Sequence, residues 1–398
     1  MNLSAASSLV QYPEKELLAF LLEKAQTEAT PVALWRLPDA ESTHLILSQS
    51  TRQLEPGALL EELDPGFLMA PFDKNESRFY LSADQFFTFE EGLLKVDGPP
   101  EQTSAHWLSE RLPAHLEARS FRPNHEPIYA PSDQQKQSFI DVIHACVDNI
   151  GRRTFEKIVP SRTRTVSLSG SFDVIESFQK LCRSYPGALI SYVSIPGVGN
   201  WLGASPEVLV CVQDKSVFKT VALAGTLPYQ SGVDLRSVAW TQKEIEEQAL
   251  VERYVISCFK KIRLREYEEH GPKTVVAGNL IHLKSEFTVD IKATNFPQIG
   301  SVMLDLLHPT SAVCGMPLEN SLAFLKKHEC YDRGFYAGYL GPVNVQNNIG
   351  LFVNLRCMQL SGDNGILYAG AGVTVDSIPE KEWEETEIKF DTLLNVIF

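Results

Sequence analysis

Hydrophobic and polar positions alternate in short runs along much of the chain, and longer amphipathic segments separate those runs. The first such segment, 13–29, opens at Pro13 and repeats leucine at helical spacing, so it predicts a helix. Runs bounded by Pro, Asp and Gly follow and predict antiparallel strands at 32–37, 44–48, 66–72, 79–83 and 87–96. Residues 98–131, rich in Pro, Ser, Glu and Arg, predict a connecting region on the surface.

From about residue 132 the pattern predicts helices inserted between meandering strands. The helices are expected at 132–150, 172–184, 241–266, 297–307 and 318–328 and at the end of the chain, with a turn at 308–317. The strands are expected at 155–168, 188–195, 200–212, 216–224, 274–288, 335–345, 349–360 and 365–376. This order favours an α+β fold of two packed, mainly antiparallel sheets with helices outside, not a doubly wound sheet. We expect one structural unit, with 1–130 as the N-terminal part and 131–398 as the catalytic core.

Composition narrows the class of protein. The 398 residues are 44% hydrophobic and 22% charged, which is typical of a globular protein with a large core. A net charge of −14 disfavours nucleic acid and acidic membranes as partners. Seven scattered cysteines, never in a CxxC pair, argue against a disulfide framework or structural zinc and indicate a reducing, cytoplasmic setting. The chain has no run of eighteen apolar residues and its start does not resemble a secretory signal, so we expect no membrane span.

The last predicted helix carries the clearest candidate chemistry. Glu382, Glu385 and Lys389 lie at i, i+3 and i+7, on one face, while Trp383 and Phe390 fall on the opposite, apolar face. Two carboxylates one turn apart suit a hard divalent cation such as Mg²⁺. Lys389 could then hold a substrate carboxylate. On this helix alone, a solvated acidic face is the commoner outcome.

Local motifs along the C-terminal two thirds change that balance. In chain order they are EKIVPSR with Lys157, GASPEVLV with Glu207, VALAGT with Gly225 and Thr226, KEIEEQ with Glu244 and Glu247, GNLIHLKSEF with His282, LLHPTSAVCGMP with Ala312, DRGFYAGYLG with Tyr336, LFVNLRC with Arg356, and AGAGVTVDSIPEKEWEET with Gly370. Over roughly residues 130–398 this series resembles the chorismate-utilising enzymes. The N-terminal 130 residues add little beyond a compatible length.

The resemblance implies a magnesium site and a chorismate site. Glu247 would bind Mg²⁺ together with Glu382 and Glu385. Arg356, the backbone around Gly370, and Lys389 would hold the carboxylates of chorismate, with Gly225 and Thr226 nearby and Tyr336 and His282 also in contact. Glu244 is expected to be structural. A dianionic substrate in a closed cleft needs such cations and donors to offset its desolvation.

The resemblance also assigns an acid and a base. Lys157 matches the lysine that, in water-using members of the family, activates the attacking water. Glu207 matches the acid that protonates the departing C4 hydroxyl, which requires a raised pKa. Without the family, Lys157 would be interpreted as a surface lysine on an alternating strand.

Two further positions bear on which reaction follows. Aminodeoxychorismate synthases have a lysine nucleophile where this chain has Ala224, whose methyl leaves room for water. Lyases of the family tend to carry threonine at Ala312. These residues favour reversible conversion of chorismate to isochorismate. A salicylate synthase with added pyruvate elimination and a non-catalytic chorismate-binding relative stay open as alternatives. The sequence does not choose between menaquinone, siderophore and salicylate pathways, and relatives of this length suggest a monomer.

Two residues depart from the family pattern. Pro160 stands where an aliphatic strand residue is usual, and it predicts a bulge or an edge near Lys157 because proline lacks a ladder donor. Gln248 stands where many relatives have histidine, and we expect it to be tolerated. His308, in the LHPT turn, is expected to lock that turn by a hydrogen bond.

Overall fold

The computed structural model describes residues 13–96, 101–113, 133–168, 172–229, 232, 234–277 and 279–398. Within those residues the strands are β1 (Val32–Arg36), β2 (Thr43–Leu47), β3 (Thr51–Leu54), β4 (Gly66–Ala70), β5 (Arg78–Ser82), β6 (Gln85–Glu90), β7 (Leu93–Lys95), β8 (Lys157–Ile158), β9 (Ser161–Ser167), β10 (Leu189–Ile195), β11 (Gly199–Ser205), β12 (Val208–Gln213), β13 (Val217–Pro228), β14 (Glu268–Ala277), β15 (Leu280–Asp290), β16 (Gly315–Met316), β17 (Tyr339–Val343), β18 (Ile349–Val353), β19 (Cys357–Ser361) and β20 (Asn364–Gly370). The helices are α1 (Glu14–Thr27), α2 (Glu101–Ser109), α3 (Asp133–Gly151), α4 (Val174–Ser184), α5 (Gln242–Lys261), α6 (Ile291–Thr294), α7 (Ile299–Leu307), α8 (Leu318–His328) and α9 (Pro379–Ile397).

Two large sheets dominate the architecture. The first has the strand order β7-β6-β2-β1-β10-β11-β19-β20-β9, the second has the order β14-β15-β13-β12-β18-β17-β4-β5-β3, and β16 pairs with β8 in a small third sheet. Neighbouring strands are antiparallel, as in β1–β10 and β4–β17. The α+β fold with two mainly antiparallel sheets is therefore confirmed. Strands from before residue 130 pair with later strands in both large sheets, and the assignment of 131–398 as the catalytic core stays a prediction.

The core forms two layers because strand residues alternate between faces. On β1, Ala33 and Trp35 face a cluster shared with the second sheet, while Val32 and Leu34 face a cluster covered by α1, α4 and α9. Both faces of β1 are thus buried, which explains its unbroken apolar run. No helix among the described residues has both the length and the apolarity to cross a bilayer.

Two predicted strands were wrong in an informative way. The predicted strand 200–212 is β11 in the first sheet and β12 in the second, separated at Pro206 and Glu207. The predicted strand 349–360 is likewise β18 and β19, on different sheets, with Arg356 at the break in a left-handed conformation, φ 48°. Proline gives no N–H to a ladder, and a left-handed residue turns the chain, so both segments cross between the sheets.

Other boundaries also differ. The predicted strand 155–168 is interrupted at Pro160 and becomes β8 and β9, in line with the expectation for that proline. The predicted strand 274–288 is one hairpin, β14–β15, whose first strand has mostly exposed residues and so lacks a strong pattern. Strand β3 was missed, and the predicted strand 87–96 is β6 and β7.

The predicted helix 241–266 is α5, which ends earlier, at Lys261. The last predicted residues belong instead to the segment that leads to β14. The predicted connection 98–131 contains helix α2, and 114–132 lies outside the described residues.

The packing of β17 on β18 yields a stability prediction. Gly341 has φ 152°, and a Cβ there would lie 1.9 Å from the carbonyl oxygen of Gly350. We expect Gly341→Ala to lower the free energy of unfolding, measured by urea denaturation, by about 3 kcal/mol because backbone must shift to relieve the overlap. Gly151→Ala is the control, since its Cβ would meet nothing within 4 Å. Equal stability of the two variants would contradict this packing.

Candidate active site

The two crossovers and the last helix direct their polar side chains into one pocket between the sheets. Ten of the residues predicted from the sequence line it: Glu207, Gly225, Thr226, Glu247, His282, Ala312, Tyr336, Arg356, Gly370 and Lys389. The other three lie next to the pocket. Lys157 and Glu385 form ion pairs with the lining residues Glu247 and Lys389, and Glu382 pairs with Lys243. The cavity is only about 50 Å³, so a ring-sized substrate enters only after side chains move.

Lys157 is completely buried at the start of β8. Its short strand pairs with β16, and Ile158 exchanges backbone hydrogen bonds with Val373. The Nζ of Lys157 lies 2.9 Å from Oε1 of Glu247 on α5, and this side chain is 0% exposed. The alternative of a surface lysine is therefore excluded. The ammonium has no access to solvent and lies against one carboxylate.

Glu207 lies at the first crossover, directly after Pro206. Its carboxyl is 3% exposed and accepts a hydrogen bond of 3.4 Å from the Thr310 hydroxyl. Burial raises the pKa of Glu207 to about 7, although the charges of Lys157 and Arg356 act to lower it. A carboxyl that is partly protonated near neutrality can donate a proton, which is the property required of a general acid.

Three carboxylates on α5 and α9 each pair with a lysine. Besides the Glu247–Lys157 pair, Glu382 accepts from Lys243 at 2.5 Å and Glu385 accepts from Lys389 at 2.6 Å. Lys389 also donates to the carbonyl of Gly370 at 2.7 Å, which ties α9 to the end of β20. Glu382 is 1% exposed, so the solvated-face alternative for this helix is excluded at that position.

The electrostatics of Glu382 reflect crowding by like charge. Burial, and next the neighbouring Glu385, raise the pKa of Glu382 to about 7, while Lys243 opposes the rise. One of its oxygens, Oε2, is buried without a hydrogen-bond partner. Burial of Glu247 acts to raise its pKa, whereas the charges of Lys157 and Lys243 act to lower it. The net result is a lowered pKa.

The carboxylates of α5 and α9 have donor chemistry that suits a divalent metal ion, although they are not arranged as a metal site. Among the described residues no group of three or more His, Cys, Asp or Glu side chains is already arranged to hold a metal. The chemistry of the donors nevertheless fits Mg²⁺, because Glu247, Glu382 and Glu385 all act on the charge of one ammonium, Lys243, and Glu382 keeps an unpartnered oxygen. Glu244 is engaged elsewhere, since it forms the capping box of α5 with Thr241.

His282 presents one free ring nitrogen to the pocket. Its Nδ1 lies 2.6 Å from the carbonyl oxygen of Gly225, so Nδ1 carries the proton and donates it. Burial, reinforced by Arg356, lowers the pKa of His282 to about 3 and keeps the ring neutral. The buried Nε2, which has no partner, can therefore accept a hydrogen bond from a ligand hydroxyl.

Several predicted supporting roles can be compared with the structure. Tyr336 stacks on Tyr368 with ring centroids 5.2 Å apart, which orders its hydroxyl end beside the pocket. His308 Nε2 lies 3.1 Å from the carbonyl of Pro71, which confirms its role in holding the turn. Gln248 is buried, and its amide nitrogen donates to the carbonyl of Ala222 at 3.2 Å, while its Oε1 is buried without a hydrogen-bond partner.

Two residues were missed by the sequence interpretation. Lys243 precedes Glu247 by four residues, one helical turn, so their shared face was visible in the KEIEEQ motif. Gly372 belongs to the AGAG motif, and a Cβ there would lie 2.2 Å from Oε1 of Glu247. Glycine at 372 therefore leaves the space that the Glu247 carboxylate fills.

Comparisons with known proteins place the chain in one family. The family described as "Chorismate binding enzyme" matches residues 80–398. The chain is 30% identical to isochorismate synthase EntC of Escherichia coli (strain K12) over 246 residues, 61% of this chain and 62% of that protein, which is less than two thirds of either. It is 26% identical to the vibriobactin-specific isochorismate synthase of Vibrio cholerae serotype O1 over 357 residues, 87% of this chain and 83% of that one.

A solved structure establishes the fold independently. MenF, the menaquinone-specific isochorismate synthase from Escherichia coli, superimposes with a TM-score of 0.72 at 20% identity, covering 92% of this chain and 89% of that chain.

The burial of Glu207 predicts a pH-dependent stability difference. The pKa of Glu207 is 4.5 in the unfolded chain and about 7 in the folded protein. Ionisation of Glu207 therefore does not lower the free energy of unfolding below pH 4.5, and it lowers that free energy fully above pH 7. Glu207→Gln cannot ionise, and its free energy of unfolding relative to the unmodified protein should rise between pH 5 and pH 8, by about 3 kcal/mol at most. Urea denaturation across that range measures it.

Glu380→Gln, at an exposed position of α9, is the control and should show no such trend. A stability difference for Glu207→Gln that does not change with pH would contradict the buried, proton-holding carboxyl.

Proposed function

The chain belongs to the family of chorismate-binding enzymes, and on that footing we propose that it is an isochorismate synthase. The reaction is the reversible, Mg²⁺-dependent conversion of chorismate to isochorismate. The observation that carries the proposal is that one pocket has beside it both a buried lysine, Lys157, and a buried carboxyl of raised pKa, Glu207. The names of the relatives in Escherichia coli and Vibrio cholerae support the same activity.

The proposed chemistry balances one water added against one water lost. Lys157 accepts a proton from the water that forms the new C–O bond at C2. Glu207 donates a proton to the C4 hydroxyl as its C–O bond breaks, and the two ring double bonds each shift by one position along the path from C2 through C1, C6 and C5 to C4. In the reverse direction the two residues exchange roles, because the same transition state is crossed.

Glu247 connects this acid–base pair to the proposed metal site. It pairs with Lys157 at 2.9 Å and is also a proposed Mg²⁺ ligand together with Glu382 and Glu385. If Glu247 turned to a bound metal ion, the Lys157 ammonium would lose the carboxylate that stabilises its charge. It could then release its proton and, as a neutral amine, take a proton from the attacking water. The bound Mg²⁺ would supply a fixed double positive charge for the ring carboxylate of chorismate.

A charge count supports a divalent cation. With Glu207 protonated as the acid and Lys157 neutral as the base, the charged side chains of the site are three carboxylates, Glu247, Glu382 and Glu385, and three cations, Lys243, Lys389 and Arg356. A dicarboxylate substrate adds two negative charges to this balanced set, and Mg²⁺ adds two positive ones. We propose that Arg356, the backbone at Gly370 and Lys389 hold the carboxylates, with Gly225, Thr226, Tyr336 and the free nitrogen of His282 around the rest of the molecule.

Small side chains support water as the nucleophile and isochorismate as the final product. Ala224 and Ala312 both line the pocket, so neither an amine nor a hydroxyl from these positions reaches the ring. We also propose a monomer that acts in the cytoplasm. The seven cysteines, all of which lie in described parts of the chain, form no disulfide, which supports a reducing setting.

The experiment that tests this function is a product assay. The purified protein is incubated with chorismate and Mg²⁺, and isochorismate, salicylate and pyruvate are quantified. We expect isochorismate at equilibrium with chorismate and pyruvate only as a minor side product. Stoichiometric pyruvate and salicylate would instead assign a salicylate synthase, and no turnover would assign a non-catalytic chorismate-binding protein.

Lys157→Met supplies the matched negative control of that assay. It keeps the length and apolar stem of the side chain but removes the amine, so turnover should fall by about 10²–10⁴-fold in both directions. Lys326→Met, at an exposed position of α8, should leave turnover unchanged. A Lys157→Met protein with intact turnover would remove this lysine from the mechanism.

A further inference from the structure

Lys243 lies between the two helices that carry the proposed metal ligands. It is in the first turn of α5 and reaches across to α9, where its Nζ lies 2.5 Å from Oε1 of Glu382. The negative charges that act on its ammonium are those of Glu382, Glu385 and Glu247, in that order of strength. A single positive charge therefore serves all three carboxylates that the proposed function assigns to Mg²⁺.

Physical chemistry requires a cation at this place. Glu382 is 1% exposed, has one oxygen without a partner and feels the charge of Glu385, so the pair would repel without compensation. Lys157 and Lys389 pair with Glu247 and Glu385 but not with Glu382. Lys243 is thus the ion-pair partner of the most buried of the three carboxylates.

We propose that Lys243 is an internal, displaceable cation: it occupies the carboxylate site in the metal-free enzyme and leaves Glu382 when a divalent ion binds. The inference rests on the proposed magnesium site. It assigns Lys243 the role of a positioning residue that keeps the carboxylates assembled without metal and lowers their affinity for metal.

The surroundings of Lys243 suit a side chain that moves. Its side chain is 20% exposed, against 11% for Lys389 and 0% for Lys157, so only a short path leads its ammonium to solvent. The start of α5 is held separately by the Thr241–Glu244 capping box, so the helix does not depend on the lysine contact. A flexible four-carbon stem lets the charge swing outwards while the backbone stays in place.

The test compares Lys243→Met with Lys260→Met, an exposed lysine at the other end of the same helix. Mg²⁺ binding to the chelator-treated proteins, without chorismate, is measured by isothermal titration calorimetry. We expect Lys243→Met to bind Mg²⁺ about tenfold more tightly than the unmodified protein, because no internal cation competes. Its thermal midpoint without metal should be lower, and Mg²⁺ should restore it. Lys260→Met should match the unmodified protein in both measurements.

Unchanged or weaker Mg²⁺ affinity in Lys243→Met, with ordinary binding to the unmodified protein, would overturn the role of Lys243 and leave the magnesium site standing. Absence of Mg²⁺ binding to all three proteins would overturn the magnesium site and this inference with it. The two failures are therefore distinguishable.

A second measurement needs no variant, in case Lys243→Met does not fold. Reductive methylation of the unmodified protein with formaldehyde and an amine–borane reductant, followed by peptide mass spectrometry, reports how accessible each lysine amine is. Methylation of Lys243 should become several-fold faster with Mg²⁺ than without it, while that of Lys260 should not change. Equal rates at Lys243 in both conditions would contradict its displacement.

Discussion

Compensation of buried negative charge is the constraint on which this site depends. Glu247 lies on α5 and Glu382 and Glu385 lie on α9. Each pairs with its own lysine: Lys157 of β8, Lys243 of α5 and Lys389 of α9, respectively. Removing one partner of a buried ion pair leaves an uncompensated charge, which is strongly destabilising. The lysines therefore allow the protein to bury these carboxylates, which the proposed divalent-cation site requires. On the proposed function, the same balance predicts that a dicarboxylate substrate and a divalent ion bind together.

The fold supplies this arrangement through its departures from regular structure. The chain passes from one large sheet to the other at Pro206 and again before Arg356, and each crossover places a charged side chain between the sheets. Burial there raises the pKa of Glu207 to about 7, a value that a strand residue on a solvated face would not reach. Gly372 leaves the space that the Glu247 carboxylate fills, so a side chain at that position would displace this carboxylate.

The sequence predicted those parts of the structure whose signals are local. The final helix, its acidic face and its apolar face follow from spacing, and the fold class follows from the order of strands and helices. The crossovers could not be predicted, because a continuous apolar run has the same pattern whether it forms one strand or two strands in different sheets. Strand β14 was not distinguished from β15, because its mostly exposed residues carry no periodic pattern that marks where one strand ends and the next begins. The pairing of Lys243 with Glu382 joins residues 139 apart in the chain, and only the folded structure brings them together.

Mutual dependence of chorismate binding and Mg²⁺ binding tests the central claim of charge balance most directly. The affinity of a Glu207→Gln protein, which lacks the proposed acid but keeps the lysine–carboxylate pairs of the site, is measured for chorismate by calorimetry in EDTA and in saturating Mg²⁺. The account predicts at least tenfold tighter chorismate binding with Mg²⁺, and by linkage an equal gain in Mg²⁺ affinity with chorismate. Chorismate affinity that is the same in EDTA and in Mg²⁺ would contradict it.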